Sequence, residues 1–244
     1  MRKLYSVFAA LVLAVAALGA SAVPARAQSK QGTKAAATAR VRTPLNLAVL
    51  IQDDLVPRVG GELRETGEFI RSLPAGSRVM VAYISSGSLQ VRQPFTDDLA
   101  AAGRALRIPA GSTAASPYNP YVELRDAIRM FPAGGPNRNA VLLVSDGLDT
   151  SRGFDFSSAV DSIDLARAVR EAKGRGVSVY SFYAPAVGLT SWNQLAVGYG
   201  QSALNRVSDE TGGRAFFQGT SFVTFDAYFE RLTRTLNEQG DRAY

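Results

Sequence analysis

The side chains best placed to do chemistry in this chain are carboxylates at the ends of two apolar runs. LNLAVLIQDD (45–54) and NAVLLVSDGLD (139–149) each pass from a continuous apolar stretch into aspartate. Together, Asp53 and Asp54 from the first run and Asp146 and Asp149 from the second would form an oxygen-rich pocket suited to a hard cation. The same residues could instead supply an acid–base pair for glycan hydrolysis, given the right separation and one raised pKa. Each also has a plain structural use. Asp53 and Asp54 can cap the next helix, and Asp146-Gly147 and Asp149 can shape a turn.

Composition removes most other chemistry. The 244-residue sequence has no histidine and no cysteine. Cys/His zinc sites are therefore excluded, as are Ser-His-Asp and Cys-His nucleophiles. Acid–base work falls to Asp, Glu, Lys or Tyr. From residue 45 onward Lys173 is the only lysine, so a Ser–Lys dyad has one candidate. Without disulfides, stability must come from the core.

The elements that would position these aspartates alternate between strand and helix, the pattern of a mostly parallel sheet covered on both faces. LNLAVLIQ (45–52) reads as a central strand buried on both sides. A helix follows over about 59–73. Strands 77–85 and 88–95 flank Ser86-Gly87 as a tight hairpin, which makes the second an antiparallel edge strand. Asp97-Asp98 caps a short helix to about Leu106. A Gly/Ser/Pro/Asn loop spans 109–120, and a helix with Val122, Leu124 and Ile128 leads to strand NAVLLVS. A loop over 150–158, a helix over 159–174 and strand 177–184 come next. A long loop containing Gly188, Trp192, Gly198 and Gly200 then precedes a helix from about Ala203. Strand 214–218 and an amphipathic helix over 225–239 close the chain. The expected class is α/β: a doubly wound, mostly parallel six-stranded sheet with one antiparallel edge strand and helices on both faces.

The ends differ from this domain. Arg2-Lys3, an apolar run over 4–20 and Ala25-Arg26-Ala27 form a secretory signal expected to be cleaved after Ala27. The expected product is secreted or periplasmic, with no membrane span. Residues 28–44 read as a flexible basic tail, 45–239 as the domain and 240–244 as a C-terminal tail. Seven of the 27 bases and none of the 21 acids precede residue 45. The net charge of +6 therefore belongs to the end of the chain, and the near-neutral domain has no nucleic-acid footprint.

This ordered set of elements resembles a von Willebrand factor type A (VWA) domain of the secreted, VWFA-related branch. The likeness covers about 45–239 and rests on four features. The first strand ends in aspartate, a hairpin adds an antiparallel edge, VLLVSDG is like the family's apolar strand ending in T/S-D-G, and GGRAFFQ is like its final G-G-x-x-F strand before a closing helix. The resemblance implies a binding or adhesion module rather than an enzyme. It also implies a metal-ion-dependent adhesion site, with D-x-S-x-S after the first strand, a loop Thr and the Asp of T/S-D-G around Mg²⁺.

In this chain Asp53 matches the first Asp and Asp146 the second, but Leu55 and Pro57 stand where the hydroxyls belong. Starting from Asp54 gives Val56 and Arg58. The metal set thus reduces to Asp53 and Asp146, and the site is expected to be weak or absent, with Mg²⁺ the one cofactor to test. Asp54 or Asp149 could substitute as ligands; Thr113, Ser116 and Asn119 all lie in the 109–120 loop where the family has its Thr, and Ser116 and Asn119 complete the candidate ligand-binding set. The expected partner is a protein or cell surface, met by loops 53–58, 109–121, 146–158 and 185–202. Trp192, Tyr118 and Tyr121 could contact it or pack locally. A structural role in an envelope assembly is the alternative.

Overall fold

The computed structural model describes residues 40–151, 162–217 and 224–241. The expected signal, residues 28–39 of the expected tail and residues 242–244 lie outside them. Six strands form one sheet: β1 (Leu45–Gln52), β2 (Arg78–Ser85), β3 (Ser88–Thr96), β4 (Arg138–Ser145), β5 (Val177–Tyr183) and β6 (Arg214–Phe216). Their order is β3-β2-β1-β4-β5-β6. All neighbouring pairs are parallel except β2 with β3. The hairpin turns on Ser86 and Gly87 with φ of 50° and 71°, as a tight two-residue turn between twisted strands requires. The fold class follows the sequence pattern.

Period-two alternation divides the core. Leu45, Leu47, Val49 and Ile51 of β1 join one apolar cluster, with Ile70 of α1 (Val59–Ser72) and Leu232 of α6 (Asp226–Asp241). Ala48 and Leu50 join the opposite cluster. That face is covered by α3 (Pro120–Arg129), α4 (Ile163–Gly174) and α5 (Gln194–Glu210). Both faces of β1 are therefore apolar, and its sequence reads as one continuous run. A short α2 (Leu99–Arg104) is capped by Asp98, which accepts from Ala101 N–H at 2.8 Å. Val41 is buried in the first cluster, and Arg42 N–H donates to Asn237 of α6 at 3.0 Å. The described end of the expected tail thus lies along α6, which itself runs to Asp241.

One element starts earlier than the sequence suggests. Helix α5 begins at Gln194, not near Ala203. Asn193 accepts from Leu195 and Ala196 N–H at 3.0 and 3.2 Å, so a side-chain cap starts it ahead of Gly198 and Gly200. Gly200 is there for contact: a Cβ on it would stand 1.9 Å from the Asp146 carbonyl oxygen. Gly147 reciprocates, with φ of +75° and room for no side chain against the Gly200 carbonyl. This paired-glycine contact draws α5 onto the end of β4. Gly198 and Gly200 look like helix breakers in sequence, and for that reason they hid the first turns of the helix.

Candidate functional site

The site lies at the carboxyl edge of the sheet, where β1 and β4 are adjacent and strand order reverses, the usual place for a ligand in an open α/β sheet. Asp54 and Asp146 meet there through Gln52. The Gln52 Nε2 group donates to Asp54 Oδ1 at 2.7 Å and to Asp146 Oδ1 at 3.1 Å. Its Oε1 accepts from Ser145 Oγ at 2.5 Å and from Asp146 N–H at 3.3 Å. That backbone donor fixes the amide orientation, because a flipped Gln52 would set N–H against N–H. Thr190, in the 3₁₀ turn Leu189–Ser191, donates to Asp146 Oδ2 at 3.0 Å and accepts from Ala186 N–H at 2.8 Å. Leu148 N–H adds a bond to Asp146 Oδ1 at 3.2 Å. The space beside these groups is a cavity of about 260 Å³, with Ser116, Thr113 and Leu189 in its wall.

Asp53 has a different environment. Its carboxylate takes two bonds from the Arg107 guanidinium, at 2.6 and 2.8 Å, and one from Ala110 N–H at 2.9 Å. Arg107 also stacks 4.0 Å over the Tyr83 ring, and Tyr83 Oη donates to the Arg107 carbonyl at 2.5 Å. The expected pairing of Asp53 with Asp146 is thus replaced by Asp54 with Asp146. The cause is the alternation along β1. Positions 52 and 54 continue the face of Ala48 and Leu50, and position 53 continues the face of Ile51.

The titration behaviour follows these contacts. Burial pushes Asp53 up, but Arg107 and Ala110 N–H overcome it and hold the carboxyl below its ordinary 3.8. Burial pushes Asp54 up, and its bonds from Gln52 and Ser116 offset this only in part. Asp146 rises to about 7, first through burial and then through the charge on Asp54, against the bonds from Leu148, Gln52 and Thr190. Two buried carboxyls this close without a cation between them share the cost of ionising.

The other expected residues have structural partners. Ser116 is half-buried in the cavity wall and bonds Asp54. Asn119 caps α3 by accepting from Tyr121 N–H at 3.1 Å, and it donates to Asp164 of α4 at 3.0 Å. Asp149 accepts from Ser151 Oγ at 2.6 Å and from Ser162 Oγ at 2.5 Å. Asn119 and Asp149 therefore fasten loops and do not line the cavity. Tyr121 is a fully buried anchor, donating to the Gly147 carbonyl at 2.8 Å. Beyond Ser151, the 146–158 loop lies outside the described residues until Ser162.

Mg²⁺ needs oxygen ligands about a common centre. Between Asp54 Oδ1 and Asp146 Oδ1 stands the Gln52 N–H donor, and the Asp53 oxygens are taken by Arg107. The side chains present do not fit Mg²⁺ at that position. Among the described residues no group of three or more Asp or Glu is arranged to hold a metal.

The rim is joined by backbone bonds. Leu55 bridges Ala186, Val56 N–H donates to Pro185 O at 3.0 Å, and Val187 N–H donates to Asp54 O at 2.9 Å. The end of β1 and the loop after β5 are thereby held together.

Solved structures share this architecture. BatB, a conserved hypothetical protein from Bacteroides thetaiotaomicron, aligns over 81% of this chain and 99% of its own, with TM-score 0.55 and 14% identity. An aerotolerance-related membrane protein from Bacteroides fragilis aligns over 80% and 99%, with TM-score 0.56 and 12% identity. Proximal thread matrix protein 1 of the mussel byssus, solved with its MIDAS motif occupied by zinc, aligns over 82% of this chain and 49% of its own, with TM-score 0.53 and 12% identity. The chain has the von Willebrand factor type A fold. No protein-family model matches its sequence, and no curated protein does either. Among the described residues, no helix is long and apolar enough to cross a membrane.

Gln52, Thr190 and Arg107 are the site residues that sequence reasoning missed. Gln52 was legible in principle, since a polar residue ending an apolar strand on the face of Asp54 should share that residue's environment. Arg107 lies 54 positions from Asp53, and nothing local marks it.

Proposed function

We propose that this VWA-fold chain is an exported, non-enzymatic binding module that grips a protein partner, without a metal, through the loops at the carboxyl edge of its sheet. The observation that carries this reading is where the apolar surface lies. Of six large hydrophobic side chains exposed among the described residues, five belong to segments at that edge: Ile108, Tyr118, Ile163, Trp192 and Leu195. Only Met130, at the far end of α3, lies elsewhere. Trp192 is 69% exposed and Tyr118 62%, and both sit within a few residues of the cavity wall at Leu189 and Pro117. Apolar groups clustered around a polar depression are the usual form of an interaction surface, and Trp and Tyr are its usual anchors.

The acid–base alternative would use the raised carboxyl of Asp146 beside Asp54. Both Asp146 oxygens already accept hydrogen bonds from the protein, which leaves this buried group poorly placed to meet a substrate.

The test is capture from the envelope fraction of the producing cell by the immobilised protein. The expected result is a partner that stays bound in EDTA and is lost with Trp192→Ala and with Tyr118→Ala. A partner released by EDTA overturns the metal-free reading, and one retained by both variants overturns the surface.

A further inference from the structure

A second built feature lies at the opposite edge of the sheet. Helices α3 and α4 pack side by side, and the groove between them is an open surface depression of about 510 Å³. Its wall holds five arginines: Arg125 and Arg129 from α3, Arg167 and Arg170 from α4, and Arg175 just beyond α4. One acid, Glu171, lies among them. Arg129 and Arg175 end their helices shortly before β4 and β5 begin. The groove therefore opens at the amino edge, away from Asp54 and Asp146.

Ordinary surface pairing accounts for three of these cations. Glu171 meets Arg175 at 2.7 Å and Arg129 at 3.7 Å. Asp126 meets Arg129 at 3.3 Å, and Asp164 meets Arg167 at 3.1 Å. Cations also suit helix C-termini, which again covers Arg129 and Arg175. Neither explanation reaches Arg170, and among the described residues no carboxylate lies within ion-pair distance of Arg125, which adds only a longer-range attraction to Glu171. Arg125 Nε is moreover buried without a hydrogen-bond acceptor. Arg175 Nη1 donates to the Arg129 carbonyl at 3.5 Å, covering the negative end of α3 that would otherwise repel an anion.

We propose that the α3–α4 groove is an anion-binding site for a ligand carrying a dianionic phosphate. Two unpaired guanidiniums match two negative charges, and the planar fork of arginine fits phosphate oxygens in pairs. Among the described residues the groove wall has no aromatic ring on which a base could stack and no aliphatic side chain to hold an acyl tail. Recognition is of the phosphate itself, on a small soluble phosphate ester or on a lipid headgroup.

Calorimetric titration of the purified protein with pyrophosphate, at low ionic strength, tests this. The expected result is saturable heat, with binding about tenfold weaker in the Arg125→Gln/Arg170→Gln protein and unchanged in Arg234→Gln, which lies outside the groove. Because Arg170 is exposed, Arg170→Glu is a second variant with little reach into the core, and it should weaken binding to a similar degree. Absence of saturable heat with the native protein overturns the proposal, as does native affinity retained in both groove variants. Co-sedimentation with phosphatidic acid vesicles, against phosphatidylcholine vesicles, separates the sources. Retention on the former, lost in the groove variants, assigns a headgroup; pyrophosphate binding without retention assigns a soluble ligand.

Discussion

Asp53 and Asp54 are adjacent in the chain, nearly equally buried, and opposite in behaviour. Asp53 faces a guanidinium and is held ionised; Asp54 faces another carboxyl across a shared amide and ionises at a cost. A one-residue step at the end of β1 separates them, because successive side chains leave a strand on opposite faces. The lesson is that an acidic strand end has a parity. Which aspartate belongs to the site depends on which face it continues, not on which comes first.

The contact that brings Asp146 to its partners should be the most sensitive to change. Gly200→Ala would press a Cβ into the Asp146 carbonyl at 1.9 Å, and a loss of about 4 kcal/mol is expected from the forced shift of α5. Urea unfolding would measure it; a loss below about 1 kcal/mol would mean that the close approach is not a constraint. Next comes Arg107→Ala, which leaves Asp53 buried and unpaired. The expected cost is about 2 to 3 kcal/mol, at the low end for a broken buried pair because the Arg107 side chain is 31% exposed. If Arg107→Ala is silent, Asp53 is not the paired member of the two.

The third prediction concerns pH. Asp146 takes up a proton more readily in the folded chain, at about 7 against an ordinary 3.8. Its ionisation cost is therefore fully present above about pH 7 and is relieved as pH falls toward 4. Asp53 works in the opposite sense. Its contribution is complete above its ordinary value and is lost as pH falls through its lowered one. Stability should peak in mildly acidic solution. Glu123, buried and also raised to about 7, adds to the decline on the alkaline side. Asp146→Asn should thus flatten that decline by about half, roughly 2 to 3 kcal/mol, in melts run from pH 5 to 8. The smallest effect is expected from Asp54→Asn. By removing one of two competing charges it should leave stability at pH 8 unchanged or raise it by up to about 1 kcal/mol, where Asp53→Asn lowers it. Equal losses in the two variants would erase the distinction.

Much of the fold could be read from the chain because its signals are local. Continuous apolar runs mark the buried strands, Ser86-Gly87 marks the hairpin, and Asp98 marks a helix start. Asp146 was found because strand-S-D-G is a local pattern too. What escaped depends on distance. Gly198 and Gly200 read as a loop because the contact that explains Gly200, with the end of β4, lies more than 50 residues back in the chain. Arg107 looked like any surface cation. Gln52 carries no charge to mark it, although an amide is the one neutral side chain that can donate to two carboxylates at once while accepting a backbone N–H.

The backbone bonds that join Leu55, Val56 and Val187 to the neighbouring loop have a thermodynamic consequence. Loops that recognise partners are commonly mobile, and ordering them on contact weakens binding. Here that conformational entropy is already surrendered when the chain folds, because the two segments are zipped together as a small extension of β1. A partner docking at Trp192 as proposed would meet a surface whose shape is set in advance, and its association should be fast and only weakly dependent on loop rearrangement.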